Sequence, residues 1–229
     1  MKIIKIFFYF TFITLTSTQI FPKDFNDIEE SSAVFIVKGD IKAYMYVSLK
    51  RVSEDTWQLN SSIKKFGITF RKESALFKIN KEQLVPISWQ RKGEALVQFD
   101  WKENKITFKE KKKTGYIDLE KGFLGPATAQ LKLRLDLRNY DTSNLPDSIN
   151  YQVYYKGEIK NRKYKIEGLK FIDTPLGKFE AIKVSRVRSR SEHRKLIFWL
   201  VPSLDYTIAQ IVNDDGKRLV TIKLKELGS

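Results

Sequence analysis

The residues best suited to binding chemistry form a basic run close to position 190. Its cations are the predicted anion-binding residues Lys183, Arg186, Arg188, Arg190 and Arg194. On an unbroken strand, the three middle arginines share a face with Ile182 and Val184, because successive side chains alternate between the two faces. An apolar row then passes directly into an arginine row. Guanidinium groups suit phosphate and carboxylate, so the pattern predicts an apolar groove whose cationic rim binds an anionic amphiphile.

Large apolar residues in and around this run could line the same groove. The predicted apolar lining is Phe99, Trp101, Ile182, Val184 and Trp199. Aromatic side chains are more often part of a packed core, and that alternative stays open at this point. The basic run has alternatives of its own, namely a strand end that emerges into solvent and a β-bulge that reverses the parity.

Residue types that could catalyse a reaction are sparse. The one histidine, His193, lies between charged neighbours in a predicted hairpin connection, and a general base needs a positioned partner. Asp100, Asp118 and Asp136 have no spacing that pairs them, although a spatial pair of the glycosidase type would not show in a sequence. With no cysteine, disulfides and thiolate sites are excluded. The sequence predicts no catalytic residue, no metal ligand and no cofactor.

The first residues have the pattern of an export signal. A short basic start is followed by an apolar segment up to Leu15 and by small residues at Thr16–Thr18. The apolar segment is shorter than the roughly 20 residues that span a bilayer, which favours a cleavable signal at 1–18 over a retained anchor. The mature chain is therefore expected to begin near Gln19, without a transmembrane span. An exported chain without cysteine fits a bacterial periplasm best.

The chain is strongly basic. It has 42 basic and 27 acidic residues, and 40 basic residues remain once Lys2 and Lys5 leave with the predicted signal. Such a charge favours anionic partners, which outside the cytoplasm are acidic lipids, lipopolysaccharide phosphates or acidic glycans; nucleic acid is not expected. The alternative is that an AT-rich coding sequence produces the abundance of lysine.

Hydrophobic alternation predicts a series of antiparallel strands. It is clearest where Ala43, Met45 and Val47 have one parity and polar residues the other, and similar segments recur along the chain between turn residues. Pro86 cannot donate to a ladder, so it belongs at an edge, a strand start or a bulge. After a lead-in at 19–32, residues 33–229 are predicted to form a single antiparallel β domain.

One segment carries conflicting signals. Leu131, Leu133, Leu135 and Leu137 alternate with charged residues, which by period alone indicates a strand. Leucine, alanine, lysine and arginine are strong helix formers, however, and Pro126 suits a first helical position. These propensities predict a single central helix at about 126–138.

Several short motifs together resemble a known family. They are Leu84–Pro86, Val97–Trp101, Thr174–Phe179, Trp199–Leu204, and the pair Asp215 and Gly216. In order and spacing they resemble a family of bacterial envelope proteins known as domain of unknown function 3108. The resemblance implies an exported, mostly antiparallel β protein with one helix in mid-domain, and it implies no activity. The sequence departs from the family pattern at Gly125, Thr128 and Thr207, where an aspartate, a serine and a proline are usual.

Together these features predict a mainly β protein, an antiparallel meander curled into a partly closed barrel with one central helix. The predicted function is non-enzymatic binding of an anionic amphiphile or envelope polymer in the periplasm, with a lipid or lipopolysaccharide as the partner. A structural module that docks an envelope protein complex is the first alternative, and an envelope hydrolase with a carboxylate pair is the second. A membrane-spanning barrel fits less well, because lysines occur throughout the strands.

Overall fold

The computed structural model describes residues 28–80, 83–111, 113–188 and 194–228. The predicted signal segment 1–18 lies outside the described residues, and so do Arg190 and His193. The first strand begins at Ser31, within the segment predicted as a lead-in.

Fourteen strands form one sheet in which every neighbouring pair is antiparallel. The strands are β1 (Ser31–Lys38), β2 (Lys42–Arg51), β3 (Thr56–Lys65), β4 (Ile68–Asn80), β5 (Gln83–Arg91), β6 (Ala95–Asp100), β7 (Lys105–Glu110), β8 (Lys113–Asp118), β9 (Ser148–Tyr154), β10 (Ile159–Thr174), β11 (Gly177–Arg186), β12 (Lys195–Val201), β13 (Thr207–Asp214) and β14 (Leu219–Gly228). The sheet curls into a barrel-like shape without closing, and β8 and β9 are its two ends. The predicted fold class is confirmed.

The pairing of β1 with β14 joins the two halves of this meander. Strands β1 to β8 follow one another outward from this pair, and β14 back to β9 follow one another on its other side. Ser32 lies opposite Gly228, and Lys38 lies opposite Thr221. The middle of the sheet is thus made by strands from opposite ends of the described chain.

Side-chain alternation explains which face of the sheet is covered. In β6 and β7, Val97, Phe99, Ile106 and Phe108 are buried, while the residues between them are exposed. Register shifts in five of the strand pairs supply the local bends that let so long a sheet curl. Pro86 lies at one of them, opposite Phe77, as its lack of a donor predicts.

The helix α1, Pro126–Leu137, confirms the predicted central helix. Proline occupies its first turn, and the Thr128 hydroxyl accepts a hydrogen bond from the Gly125 N–H at 2.8 Å. The leucines at 131, 133, 135 and 137 are all buried. In a helix, residues two apart point about 200° apart, so alternating leucines cover opposite sides of the helix. The helix is therefore enclosed on more than one side, and it contacts β4, β5 and β9.

Side chains join β9, at one end of the sheet, to β7, the strand next to the other end. The Tyr154 hydroxyl at the end of β9 donates to Glu110 Oε1 at 3.0 Å, and its ring lies 5.9 Å from that of Phe108. The Gly157 N–H donates in turn to the Tyr154 hydroxyl at 3.0 Å. Leu124, just before the helix, adds a parallel bridge to Val153. We call these contacts the seam of the barrel.

The core has two parts. The main cluster lies between α1 and the inner faces of the strands. A second, smaller cluster includes Ile172, Ala181 and Leu224, where the far part of the β10–β11 hairpin lies against β13 and β14. The Leu176 N–H donates to the Leu224 carbonyl at 3.4 Å, which ties the hairpin end to β14.

Candidate functional site

A cavity of about 980 Å³ lies inside the curled sheet. Its walls are mainly apolar and come from strands on both sides of the central β1–β14 pair. The wall residues are Val37, Met45, Val47, Leu59, Ile63, Leu196, Phe198, Ile211, Val220 and Ile222. Most of these side chains are only partly buried, because the space they enclose is empty of protein atoms.

The rim of the cavity is basic. It is formed by the turns at one end of the barrel and by the residues that lead into them. The described rim cations are Arg71, Arg91, Lys111, Lys113, Lys156, Arg162, Arg186 and Arg194, and the described carboxylates are Glu73, Glu94 and Glu110. Eight cations against three anions give this end of the cavity a positive field.

The positive charge is uneven around the rim. Among the described lining residues, all three carboxylates lie between β4 and β7, where Glu73 pairs with both Arg71 and Arg91. The Arg91 Nη1 also lies 3.2 Å from Glu94 Oε2. The cations contributed by β9 to β12 face the cavity from the other side. The field for an anion is therefore strongest on the β9–β12 side of the rim.

Arg162 is the most buried of these cations, with 7% of its surface exposed. It has the same parity on β10 as Tyr164 and Ile166, both buried, so the strand directs its side chain inward. Its guanidinium carbon lies 5.0 Å from the centre of the Tyr155 ring. A cation held over an aromatic face in this way keeps its charge while packing against apolar surface.

Arg186 and Arg194 lie at the same side of the rim. Arg186 Nη2 donates to the Arg194 carbonyl at 3.4 Å, and Arg194 Nε donates to Asn213 Oδ1 at 2.6 Å. Burial raises the pKa of Tyr164, and the nearby positive charges of Arg186 and Arg162 oppose that rise. The Tyr164 hydroxyl thus stays protonated between two cations, as a neutral donor next to the positive part of the rim.

Trp89 contributes a second polar group to the lining. Its ring is buried and lies 5.2 Å from the guanidinium carbon of Arg91. Its Nε1–H is buried and has no hydrogen-bond acceptor among the described residues. Indole N–H groups are usually paired when buried, so an unpaired donor at this position is unusual.

The predicted anion-binding residues separate into two groups. Arg186 and Arg194 line the cavity. Lys183 has the opposite parity, pairs with Trp199 in the register of β11 and β12, and forms an ion pair with Glu167 at 2.7 Å. Arg188 lies beyond the end of β11 and is exposed, because the strand that would keep its parity ends at Arg186. Arg190 lies outside the described residues.

The five residues of the predicted apolar lining are not among the residues that line the cavity. Ile182 and Val184 are fully buried in the main core, and Phe99 packs against the start of the helix, near Gly125. Trp101 donates its Nε1–H to the Pro86 carbonyl at 2.7 Å, and Trp199 packs in the second cluster. Phe99, Ile182 and Val184 thus belong to the main core cluster, and Trp101 and Trp199 are half-buried residues that pack against the two clusters.

Some lining residues had no clear signal in the sequence. Arg71, Arg91 and Lys156 come from separate turns, and only the curling of the sheet brings them together. Arg162 did have a signal, because it extends the parity of Tyr164 and Ile166 in the same way that Arg186 extends that of Val184.

A separate polar cluster ties the helix to the sheet outside this cavity. Tyr151 donates to Asp136 Oδ2 at 2.5 Å, and burial together with that carboxylate raises the pKa of Tyr151. Burial lowers the pKa of Arg134, and the paired Asp205 opposes this. The described residues include no group of three histidine, cysteine, aspartate or glutamate side chains placed to hold a metal ion. In the described part of the chain, no helix has the length and apolar character to cross a bilayer.

A family model matches residues 35–223, which is most of the chain. Its description is protein of unknown function DUF3108. The chain belongs to this family. The resemblance seen in the short motifs is therefore confirmed, and the cavity described above lies within the matched part of this DUF3108 protein. No curated protein matches the sequence.

Three solved structures are similar to this DUF3108 protein at low sequence identity. A β-barrel-like protein of domain of unknown function DUF1849 from Brucella abortus has 10% identity and a TM-score of 0.50, covering 87% of this chain and 97% of its own. This likeness shows a common fold. A proposed lipoprotein from Parabacteroides distasonis has 15% identity, a TM-score of 0.38 and coverages of 88% and 96%. A proposed exported protein with a YmcC-like fold from Bacteroides fragilis has 9% identity, a TM-score of 0.43 and coverages of 88% of this chain and 97% of its own.

Proposed function

We propose that this protein is a non-enzymatic binder of an anionic amphiphile in the periplasm, of the lipid or lipopolysaccharide type. The observation that carries the proposal is a single cavity with apolar walls and a basic rim. Apolar wall residues such as Leu59 and Phe198 favour the hydrocarbon chain of a ligand. The cations of the β9–β12 side favour its anionic head group. Export of the chain by the segment 1–18 is part of the same proposal.

The size of the cavity supports a lipid-sized ligand. At about 980 Å³ it lies at the upper end of the roughly 300–1,000 Å³ found for ligand sites in proteins. Apolar space of this size inside a well-packed protein is costly unless something fills it, since interiors normally contain few voids.

Two arginines of the rim provide the direct test. Replacing Arg186→Gln and Arg194→Gln together removes two positive charges and leaves the apolar wall in place. Charge-assisted hydrogen bonds contribute about 1.5–3 kcal/mol each, so displacement of a dansyl-labelled fatty acid by phosphatidylglycerol is expected to weaken at least tenfold. Mass spectrometry of protein purified without detergent is expected to find a co-purifying anionic lipid in the wild type and much less in the variant.

Lys183→Gln is the matched control, because Lys183 lies on the same strand but pairs with Glu167 outside the cavity lining. It is expected to bind the probe as the wild type does. Leu196→Trp, which places a larger side chain in the wall, is expected to reduce binding even though every charge remains. If the wild type carries no lipid and the double arginine variant binds the probe unchanged, the proposal is wrong.

A further inference from the structure

The tip of the β3–β4 hairpin exposes three large apolar side chains in five residues. Phe66 is 91% exposed, and Ile68 and Phe70 are the other two. A single exposed apolar residue is ordinary on a protein surface, whereas a compact group on a protruding hairpin usually marks an interaction site. Hydrogen bonding within the hairpin leaves these side chains free to enter an apolar medium.

The backbone of the turn makes the presence of Phe66 more informative. Lys65 lies opposite Ile68, so Phe66 and Gly67 form a two-residue turn, with φ angles of 49° and 78°. Both values are in the left-handed region, where asparagine followed by glycine is the favoured pair. A bulky residue is uncommon there. Asparagine would fit this turn better than phenylalanine does. What Phe66 contributes at this position is therefore its exposed ring and not the geometry of the turn.

Basic side chains flank the apolar tip on both sides. Lys64 and Lys65 precede it, Arg71 and Lys72 follow it, and residues 64–72 include no acidic side chain. The Lys65 Nζ lies 5.1 Å from the centre of the Phe66 ring. Apolar residues between lysines and arginines are the pattern by which proteins bind the interface of anionic membranes.

The tip also lies at the mouth of the cavity. Ile63 and Arg71, which are opposite each other at the base of the tip, both line the cavity. The neighbouring β1–β2 turn exposes Ile41 at the same end, and the β13–β14 turn beyond it exposes Leu219. Those turns carry the carboxylates Asp40 and Asp215, whereas residues 64–72 at the β3–β4 tip carry none.

We propose that the β3–β4 tip inserts into the surface of an anionic lipid bilayer. Phe66, Ile68 and Phe70 enter the boundary between head groups and acyl chains, while the flanking lysines contact the lipid phosphates. The mouth of the cavity then faces the membrane. This contact goes beyond the proposed function, because it does not require the cavity to hold a ligand.

Sedimentation of the full chain with vesicles tests the contact. Binding is expected to vesicles of phosphatidylcholine mixed with phosphatidylglycerol, to be much weaker with phosphatidylcholine alone, and to fall as salt is added. Phe66→Asn keeps a turn that favours asparagine, so the melting temperature is expected to stay the same or rise while the partition coefficient falls at least about fivefold. Replacing Lys64 and Lys65 by glutamine is expected to cost roughly fivefold per lysine.

Phe171→Asn is the matched control. Phe171 is 71% exposed and has Lys178 over its ring at 5.4 Å, but it lies in the β10–β11 hairpin at the opposite end of the barrel. It is expected to leave vesicle binding unchanged. The proposal is overturned if the wild type does not sediment with anionic vesicles, or if Phe171→Asn weakens sedimentation as much as Phe66→Asn does.

A fluorescent reporter tests the depth of insertion. In a Phe66→Trp variant, the added emission is expected to shift to the blue with anionic vesicles and to be quenched by brominated acyl chains. Unchanged emission would show that the tip stays in water and would contradict insertion. The variant with Arg186→Gln and Arg194→Gln is expected to sediment like the wild type, so loss of ligand binding and loss of membrane binding are separate results.

Discussion

At the scale of single residues, Asp205 connects the helix to the corner between β12 and β13. Its carboxylate lies 2.9 Å from Arg134 Nη2 and 3.1 Å from Arg138 Nε. The Arg138 side chain is only 3% exposed. Asp205 itself has a φ of 51°, a left-handed conformation that asparagine and aspartate adopt more readily than other residues. One carboxylate thus neutralises two cations that the fold has largely removed from water.

Asp205→Asn tests this connection, because it retains the size and the backbone preference of the residue and removes only the charge. Leaving two partly buried guanidinium groups without this carboxylate is expected to lower the free energy of unfolding by about 2 kcal/mol, since the pair is not fully buried. Denaturant titration measures the loss. Asp118→Asn, an exposed carboxylate on β8, is expected to change stability by less than about 0.5 kcal/mol. Equal effects from both substitutions would contradict the special role of Asp205.

The same scale shows how far residue patterns predict the site. Ile182, Val184 and Arg186 have one parity on β11, and the strand continues up to Arg186, so the pattern of an arginine after buried apolar residues is present in the structure. The pattern could not predict where the Arg188 side chain points, because side chains stop alternating between two faces where the strand ends. It also could not separate wall from core, since Ile182 and the wall residue Leu59 are both apolar residues on alternating strands.

At the scale of elements, the helix shows how two sequence signals can conflict and both be informative. Alternating leucines suggested a strand, while residue propensities favoured a helix. The helix forms, and the leucines alternate because the helix is buried on more than one side. A helix at the surface would have shown a single apolar stripe. The alternation of the leucines therefore indicated on which sides the segment is buried, and the residue propensities indicated that it is a helix.

Two leucine substitutions test whether the helix is enclosed. Leu133→Ala and Leu135→Ala remove side chains that point about 200° apart and are both almost fully buried. Each is expected to lower the free energy of unfolding by about 2–5 kcal/mol, because each leaves a cavity in the core. Leu96→Ala, on an exposed position of β6, is the control and is expected to cost less than about 1 kcal/mol. A small effect at either helix position would mean that this side of the helix is open.

At the scale of the whole molecule, the stability of the barrel-like shape depends on the contacts of the seam. The strands within the sheet are joined by continuous ladders, whereas β9 meets the other end of the sheet through the contacts of Tyr154 with Glu110 and Phe108 on β7 and through the short bridge at Leu124. Local opening is easiest where few hydrogen bonds must break. The sequence predicted a partly closed barrel, but it gave no indication of which residues would meet at the gap, since they are distant along the chain.

Tyr154→Phe removes the hydroxyl that bridges Glu110 and the Gly157 N–H. The variant is expected to lose about 1 kcal/mol of stability and to show faster amide hydrogen exchange in β7 and β9 than in β1 and β2. Tyr116→Phe, which alters an exposed tyrosine on β8, is the control and is expected to exchange like the wild type. Faster exchange spread evenly over all strands would show that the seam is not a separate weak point.

The pairing of β1 with β14 has a consequence for the order of assembly. A ribosome completes β1 early and Leu219–Gly228 late, so the contact at the middle of the sheet has the largest loop to close. Hairpins on either side can form as the polypeptide emerges, but the two halves have no shared ladder until the final strand arrives. The hollow interior therefore comes into existence only in the last step of folding.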